Sequence, residues 1–398
     1  MIPQGWLDSI LPEMIGIRHD LHAHPEIGME EVRTSGIVAA ELTRMGLPFE
    51  QGIGGTGVVA AIHGTRPGPT IGLRADMDAL AITEETGLPY ASTNGLMHAC
   101  GHDGHTTMLL TAARWLAENR DFPGTVHLIF QPAEEGRGGA KAMLRDGLFK
   151  RFPCDMIFGL HNTPGMPAGE FGLREGAMMA GAGKWEVTFR GKGGHGGVTP
   201  HLTQDISYAS AHFVLALQGI VGRHVPPLEP AVLSVGHIGG GNPEAYNVVP
   251  SRLLLRGTMR CFSEETANIL TDQLEIAARA AAALTGCKVE VEAAYDMPPL
   301  INDPRCYALA LAAAQAVAGR GQVEPELGRT TGSEDFACMM REVPGAFMRI
   351  GNGRAADGSF HAVHTPHYDF NDEIIGPGAR YWVTLVHQAL DAGATASV

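Results

Sequence analysis

Six cysteines in 398 residues, at positions 100, 154, 261, 287, 306 and 338, are too few and too scattered for a disulfide framework. Reduced thiols in a cytoplasm fit them best. Cations are scarce as well: 29 Lys and Arg stand against 43 Asp and Glu, a formal net charge of −14. That balance argues against the nucleic-acid backbone and against an anionic membrane surface as partners. No uncharged apolar run approaches the length of a membrane span. The first ten residues carry Asp8 and no basic stretch ahead of an apolar core, so no secretory signal is read there. Internal repeats and low-complexity linkers are lacking too. What is present is a composition of 44% hydrophobic and 18% charged residues, that of a soluble globular protein. The length exceeds one ordinary core, and two domains are expected.

The densest chemistry lies in His98-Ala99-Cys100-Gly101-His102-Asp103-Gly104-His105, with one thiol, three imidazoles and one carboxylate in eight positions. Cys100 and His102 are two apart, so an extended backbone would point both the same way. Thiolate beside imidazole suits zinc or another late divalent ion. Alone, the stretch is equally a buried cysteine among surface histidines, so the case depends on partners elsewhere.

Those partners follow a pattern. Asp8 to Glu41 reads as helix, break and helix, with Val32 to Met45 the second helical stretch; His19, His22 and His24 read mainly as structural. Strands are read at Gly57–His63 and at Thr70–Arg74, the latter running into Asp76 and Asp78. A helix over Thr106–Asn119 precedes a strand over Gly124–Phe130, which runs into Gln131-Pro132-Ala133-Glu134-Glu135-Gly136. A strand over Cys154–Leu160 ends at His161-Asn162. Polar groups repeated at strand ends, between helices, form the signature of an α/β open sheet. In a plain turn Asp76 and Asp78 are caps, and Glu134-Glu135 is a solvated acidic loop. In a site, one glutamate ligates a metal and the other serves as general base.

From Lys184 the texture changes. Strand, helix, strand, strand, helix and strand are read over Trp185–Arg190, Asp205–Arg223, Ala231–Ile238, Asn247–Arg260, Glu264–Thr285 and Lys288–Ala294. This is the order of a compact ferredoxin-like α+β unit inserted into the first. The expected division is therefore 1–183 with 295–398, and 184–294. The glycines around His195 lack the G-K-[ST] ending of a phosphate loop and serve to present that histidine. Beyond the insertion, a helix is read over Asp303–Gly319. Another begins at Thr330–Phe336 with Ser333 as its cap, a strand follows at Ala346–Ile350, and Arg380–Leu390 closes the chain.

These motifs resemble the M20 metallopeptidases, in the aminoacylase, hippurate hydrolase and indole-acetyl-amino-acid hydrolase branch. The resemblance is carried by Arg18 to Glu26, Arg74 to Leu80, His98 to His105, Gln131 to Gly136 and His161-Asn162. It continues through Gly191 to His195, Asn247 to Pro250, Thr331 to Phe336, and His364 to Asp372. It implies an α/β catalytic domain with a mostly parallel central sheet flanked by helices, plus a lid or dimerisation domain. It also implies two divalent metal ions (Zn, Mn, Co or Ni) held by Cys100, His102, Glu135, His161 and His364. Cys100 would bridge them where other branches use aspartate. Glu134 would be the general base, and Asp76 and Asp78 would support the ligands from behind. His195 and Asn247 would stabilise the oxyanion or bind substrate, across a homodimer in many relatives, and Arg260 would hold the substrate carboxylate. Two departures stand out: the loop from His195 to Pro200-His201 is one residue longer than usual, and Ser251 replaces a common acidic residue. The implied reaction is hydrolysis of N-acyl amino acids. Short peptides, as in a dipeptidase or carboxypeptidase, and a non-catalytic metal-binding protein are the alternatives.

Overall fold

The structure is a computed structural model that describes residues 1–355 and 357–395, with side chains to Asp391. The chain divides into two units. One comprises Met1–Gly176, Ile301–Gly328 and Asp335–Val398; the other comprises Ala177–Leu300 and Arg329–Glu334. The second reaches beyond residues 184–294 in part because its first and last strands in sequence, Gly181–Arg190 and Lys288–Met297, are longer than their apolar alternation suggested.

The first unit is built on an eight-stranded sheet. Its order is Phe49–Ile53, Gly57–His63, Pro123–Gln131, Arg66–Asp76, Met156–Pro164, Gly345–Gly353, Phe171–Gly172 and Val323–Glu324. The four strands from Pro123–Gln131 to Gly345–Gly353 run parallel. Parallel strands are covered on both faces and read as continuous apolar runs. Met156–Asn162 is accordingly buried at every position. Helices Gln4–Ala23, His102–Glu118, Pro304–Ala318 and Ile375–Thr395 join its core. On the first of these, Leu7, Met14 and Leu21 recur at seven-residue spacing and are buried, each contributing roughly 1.5–3 kcal/mol of transfer energy. Since the four central strands share a direction, their carboxyl-terminal halves set Gln131 beside Asp76 and Arg349 beside His161.

The second unit is a four-stranded antiparallel sheet in the order Ala231–Gly240, Arg252–Cys261, Gly181–Arg190 and Lys288–Met297. Helices Ile206–His224 and Glu264–Ala283 share its core. This is the ferredoxin-like arrangement. Asp205 accepts from the Ser207 and Tyr208 N–H groups and Ser263 from Thr266, so each helix starts at a side-chain cap, worth about 1 kcal/mol apiece.

Two local readings change. The helix after residue 330 begins only at Phe336, following Asp335, so Ser333 does not cap it. The helix read from Thr106 begins at His102, inside the thiol–imidazole cluster.

Candidate metal centre

The early start of that helix sets the geometry. Gly101 is its N-cap, with φ of 90°. Cys100 and His102 are thus brought to one place by a left-handed turn and not by an extended strand. Only glycine serves here: a Cβ on Gly101 would lie 2.5 Å from the Tyr368 hydroxyl oxygen and 2.9 Å from Asn162 Oδ1.

The five proposed ligands all lie in the first unit. Cys100 Sγ is 3.4 Å from His161 Nε2. His364 Nε2 lies 2.9 Å from Glu135 Oε1, and His102 Nε2 lies 4.0 Å from the same oxygen. Within 4.8 Å, donor atoms of Cys100, His102 and His161 form one group, and those of Cys100, Glu135 and His364 form another. Cys100 is common to both. His102 with Glu134 and Glu135 forms a third group. His102 Nε2 is buried without a hydrogen-bond partner, and Glu135 Oε1, buried beside it, faces the His364 ring with no well-aligned hydrogen bond. Buried polar atoms are otherwise almost always paired, and a divalent cation satisfies both. The donor set therefore fits metal.

The atoms behind the ligands are ordered. Asp78 Oδ1 lies 3.1 Å from His102 Nδ1, and its Oδ2 accepts the Glu135 N–H at 2.9 Å. His161 Nδ1 donates to the Asn162 carbonyl at 2.6 Å, which leaves Nε2 facing Cys100. Asp76 bonds His105 Nδ1 at 2.6 Å and Arg74 at 2.8 Å. His364 has φ of 64°, a strained value held by its N–H bond to the Ala99 carbonyl at 2.7 Å. His98 is buried, and burial pushes its imidazole down to about 4.

Electrostatics follow the packing. Burial pushes the Cys100 thiol up to about 12. Burial opposes charge on His102, yet the Asp76 carboxylate and the Cys100 sulfur outweigh it and hold that ring well above its ordinary value. His161 is held well below by burial, then by the Arg349 guanidinium.

Glu134 is half-buried, its Oε1 3.4 Å from the Asp335 N–H. His195, Asn247 and Arg260 belong to the second unit. His195 is exposed on the two-residue strand Gly194–His195, paired with Val248–Val249. Its Nδ1 accepts the Gly197 and Val198 N–H groups at 3.2 Å each, so its proton resides on Nε2. The Asn247 amide lies 3.4 Å from Nε2. Arg260 folds back on its own strand, donating to the Met259 carbonyl at 2.9 Å and to the Thr258 hydroxyl.

The sequence left one buried cluster unread. His22 Nδ1 bonds Asp103 at 2.8 Å and its Nε2 lies 3.3 Å from Glu84, while Arg18 pairs with Asp369 at 2.8 Å and with Asp103 at 3.4 Å. The density of His22, Asp103 and Arg18 in motif segments was the available signal. Burial opposes charge on His22, but its bonds to Asp103 and Glu84 prevail and raise it from 6.5 to about 9. Burial likewise opposes the Glu84 charge, and the His22 bond prevails, lowering it from 4.5 to about 2. The His22 contribution is therefore full below pH 6.5 and lost as pH rises through 9; the Glu84 contribution is full above 4.5 and lost as pH falls through 2. Thermal melts of the metal-free protein should give a maximum between those inner limits. His22→Asn should flatten the alkaline fall, by up to about 3 kcal/mol. An unchanged alkaline limb in that variant would refute the assignment.

A profile for Peptidase family M20/M25/M40 matches residues 72–388. The chain is 36% identical over 387 residues to a hippurate hydrolase of Campylobacter jejuni, covering 95% of this chain and 98% of that protein. It is 37% identical over 388 residues to an N-acetyl-L-cysteine deacetylase of Bacillus subtilis, covering 97% and 90%. The Bacillus subtilis YXEP protein, described as a dinuclear metal binding peptidase, superposes with a TM-score of 0.83 at 30% identity, covering 96% of this chain and 99% of that one.

Proposed function

The chain belongs to the M20/M25/M40 peptidase family and is a metal-dependent amidohydrolase; from that premise we propose that it hydrolyses the amide bond of N-acyl amino acids of N-acetyl, benzoyl or aryl-acetyl type. The observation that carries this reading is a glutamate, Glu134, grouped with His102 and Glu135 beside a thiol common to two sets of metal donors. Cys100, His102, Glu135, His161 and His364 would hold two divalent ions. Thiolate, imidazole and carboxylate together accept Zn, Mn, Co or Ni. Held there, such ions would supply Lewis acidity toward the scissile carbonyl and toward a water. Glu134 takes that water's proton and delivers it to the leaving amine. Asp78 fixes the His102 ring and the Glu135 backbone, and Asp76 does the same for His105.

His195 donates its Nε2 proton to the oxyanion, with Asn247 beside it, and Arg260 turns to the substrate carboxylate. The lid unit pairs two copies. Between Ile206 and Gly222 its helix has no Asp, Glu, Lys or Arg, yet Tyr208 and Leu215 are 53% and 70% exposed. The edge strand Ala231–Gly240 is equally uncharged and exposes Ile238. Monomeric proteins guard such edges with charge; a second copy covers this one. The unpaired state of all six cysteines supports a reducing cytoplasm.

The test is a panel of hippurate, N-acetyl amino acids, indole-acetyl conjugates and dipeptides, with Zn, Mn, Co or Ni and with chelator. Acyl amino acids should turn over, and chelation should abolish turnover. Cleavage of dipeptides alone would assign a dipeptidase or carboxypeptidase; ion binding with no turnover would assign a metal-binding protein. In a second arm, His195→Ala and Glu134→Gln subunits are mixed. Recovered activity supports a site shared between copies, and none refutes it.

A further inference from the structure

Ala133 is out of character for its residue type. Its φ is 53°, in the left-handed region that an alanine seldom occupies. It immediately precedes Glu134 and Glu135, so its backbone angle decides where both side chains point. Nothing intrinsic to alanine favours that angle, and the surroundings must impose it.

They do so through one buried carboxylate. The Ala133 N–H donates to Glu31 Oε1 at 2.8 Å. The other Glu31 oxygen accepts the Thr56 hydroxyl at 2.5 Å. Glu31 is fully buried and stands at the start of the helix Val32–Arg44, yet its side chain makes no capping bond to that helix. An acid at a helix start that leaves its own helix uncapped is committed elsewhere. On the far side of Ala133, its carbonyl accepts the Gly139 N–H at 2.9 Å. Packing closes the remaining freedom: a Cβ on Gly28 would come within 2.9 Å of Ala133 Cα. Two residues on, the Glu135 N–H is held by Asp78 at 2.9 Å. The N–H groups on either side of Glu134 are thus held by two different carboxylates, one from the segment before helix Val32–Arg44 and one beyond strand Arg66–Asp76.

We propose that Glu31 is a positioning residue: by accepting the Ala133 N–H it holds the left-handed turn that aims Glu134 and Glu135. It touches no substrate and acts only through that peptide. The role rests on the reading that Glu134 and Glu135 serve the centre. Without the acceptor, Ala133 relaxes to negative φ and the two glutamates swing. Displacements of this kind cost catalysis far more than they cost folding.

The experiment compares Glu31→Ala, Glu31→Gln and Glu134→Gln, each loaded with metal and assayed on whichever of hippurate and N-acetylmethionine the wild type turns over faster. Glu31→Ala should lower kcat by about tenfold or more with KM within about twofold. Its ion affinity by calorimetry should weaken too, since Glu135 moves. Glu31→Gln keeps an oxygen for the Ala133 N–H and should stay within about threefold of wild type in kcat. Adding Ala133→Gly to Glu31→Ala should restore part of the loss, because glycine holds the turn without strain. A Glu31→Ala enzyme with wild-type kcat overturns the proposal, as does a Glu31→Gln enzyme as impaired as Glu31→Ala. If Glu31→Ala does not fold, Glu31→Leu, which removes the acceptor but keeps the buried volume, should lower kcat in its place, and an unchanged kcat there overturns the proposal. If Glu134→Gln itself retains activity, the underlying reading fails; if only the Glu31 variants are silent, the reading stands and this inference falls.

Discussion

Glu134→Gln is expected to lower kcat by ~100-fold or more, the scale of a lost general base, while ion content stays at the wild-type level. The amide matches the carboxylate in size and keeps an acceptor toward the Asp335 N–H. What it loses is the ability to carry a proton. The proposed ligands Cys100, His102, Glu135, His161 and His364 are untouched. The two measurements, single-turnover rate and ion stoichiometry, therefore separate proton transfer from assembly of the site. Glu134→Asp keeps the proton but withdraws it by one methylene, and should fall between the two. Near wild-type turnover in Glu134→Gln would remove this residue from the mechanism.

Cys100→Ser is expected to lose ions before anything else, with affinity reduced by about 10- to 100-fold and activity falling with it. The sulfur belongs to both donor groups, with His102 and His161 and with Glu135 and His364. Its removal weakens both positions at once, whereas loss of His364 should weaken one. Serine cannot substitute because its hydroxyl does not ionise near neutral pH. Burial already pushes the thiol up to about 12 in the ion-free protein, so ion binding must expel that proton. Affinity should therefore rise with pH, and calorimetry in buffers of different ionisation heat should register proton release. Cys100→Asp, which supplies a ready anion, should retain more metal than Cys100→Ser. Full ion content in Cys100→Ser would count against a bridging thiol.

Much of this site was legible because strand, helix and ligand signals are local. Asp76, Glu134, Glu135 and His161 follow apolar runs, and parallel strands place whatever follows them at one edge. Backbone handedness was not legible. Gly101 marked a place where the chain could turn, but that the turn is left-handed and starts a helix at His102 was not readable from it. The strand ending read at Leu160 instead runs on to Pro164, so His161 sits within the ladder, opposite Arg349. Ser333 read as a cap only because serine commonly is one; the helix starts at Phe336.

Residue type and order alone determined the α/β class and the strand–helix order of the inserted unit, and they picked out the candidate ligands, because burial periodicity and metal affinity are properties of the side chains themselves. Tertiary packing decided what no short stretch encodes. Ala133 and His364 adopt positive φ where distant groups, namely Glu31 and the Ala99 carbonyl, hold them, and at Gly101 the Tyr368 hydroxyl leaves no room for a Cβ. Alanine carries no signal for that conformation, and histidine only a weak one. The energy that stabilises it comes from contacts made only after the sheet has brought the segments together.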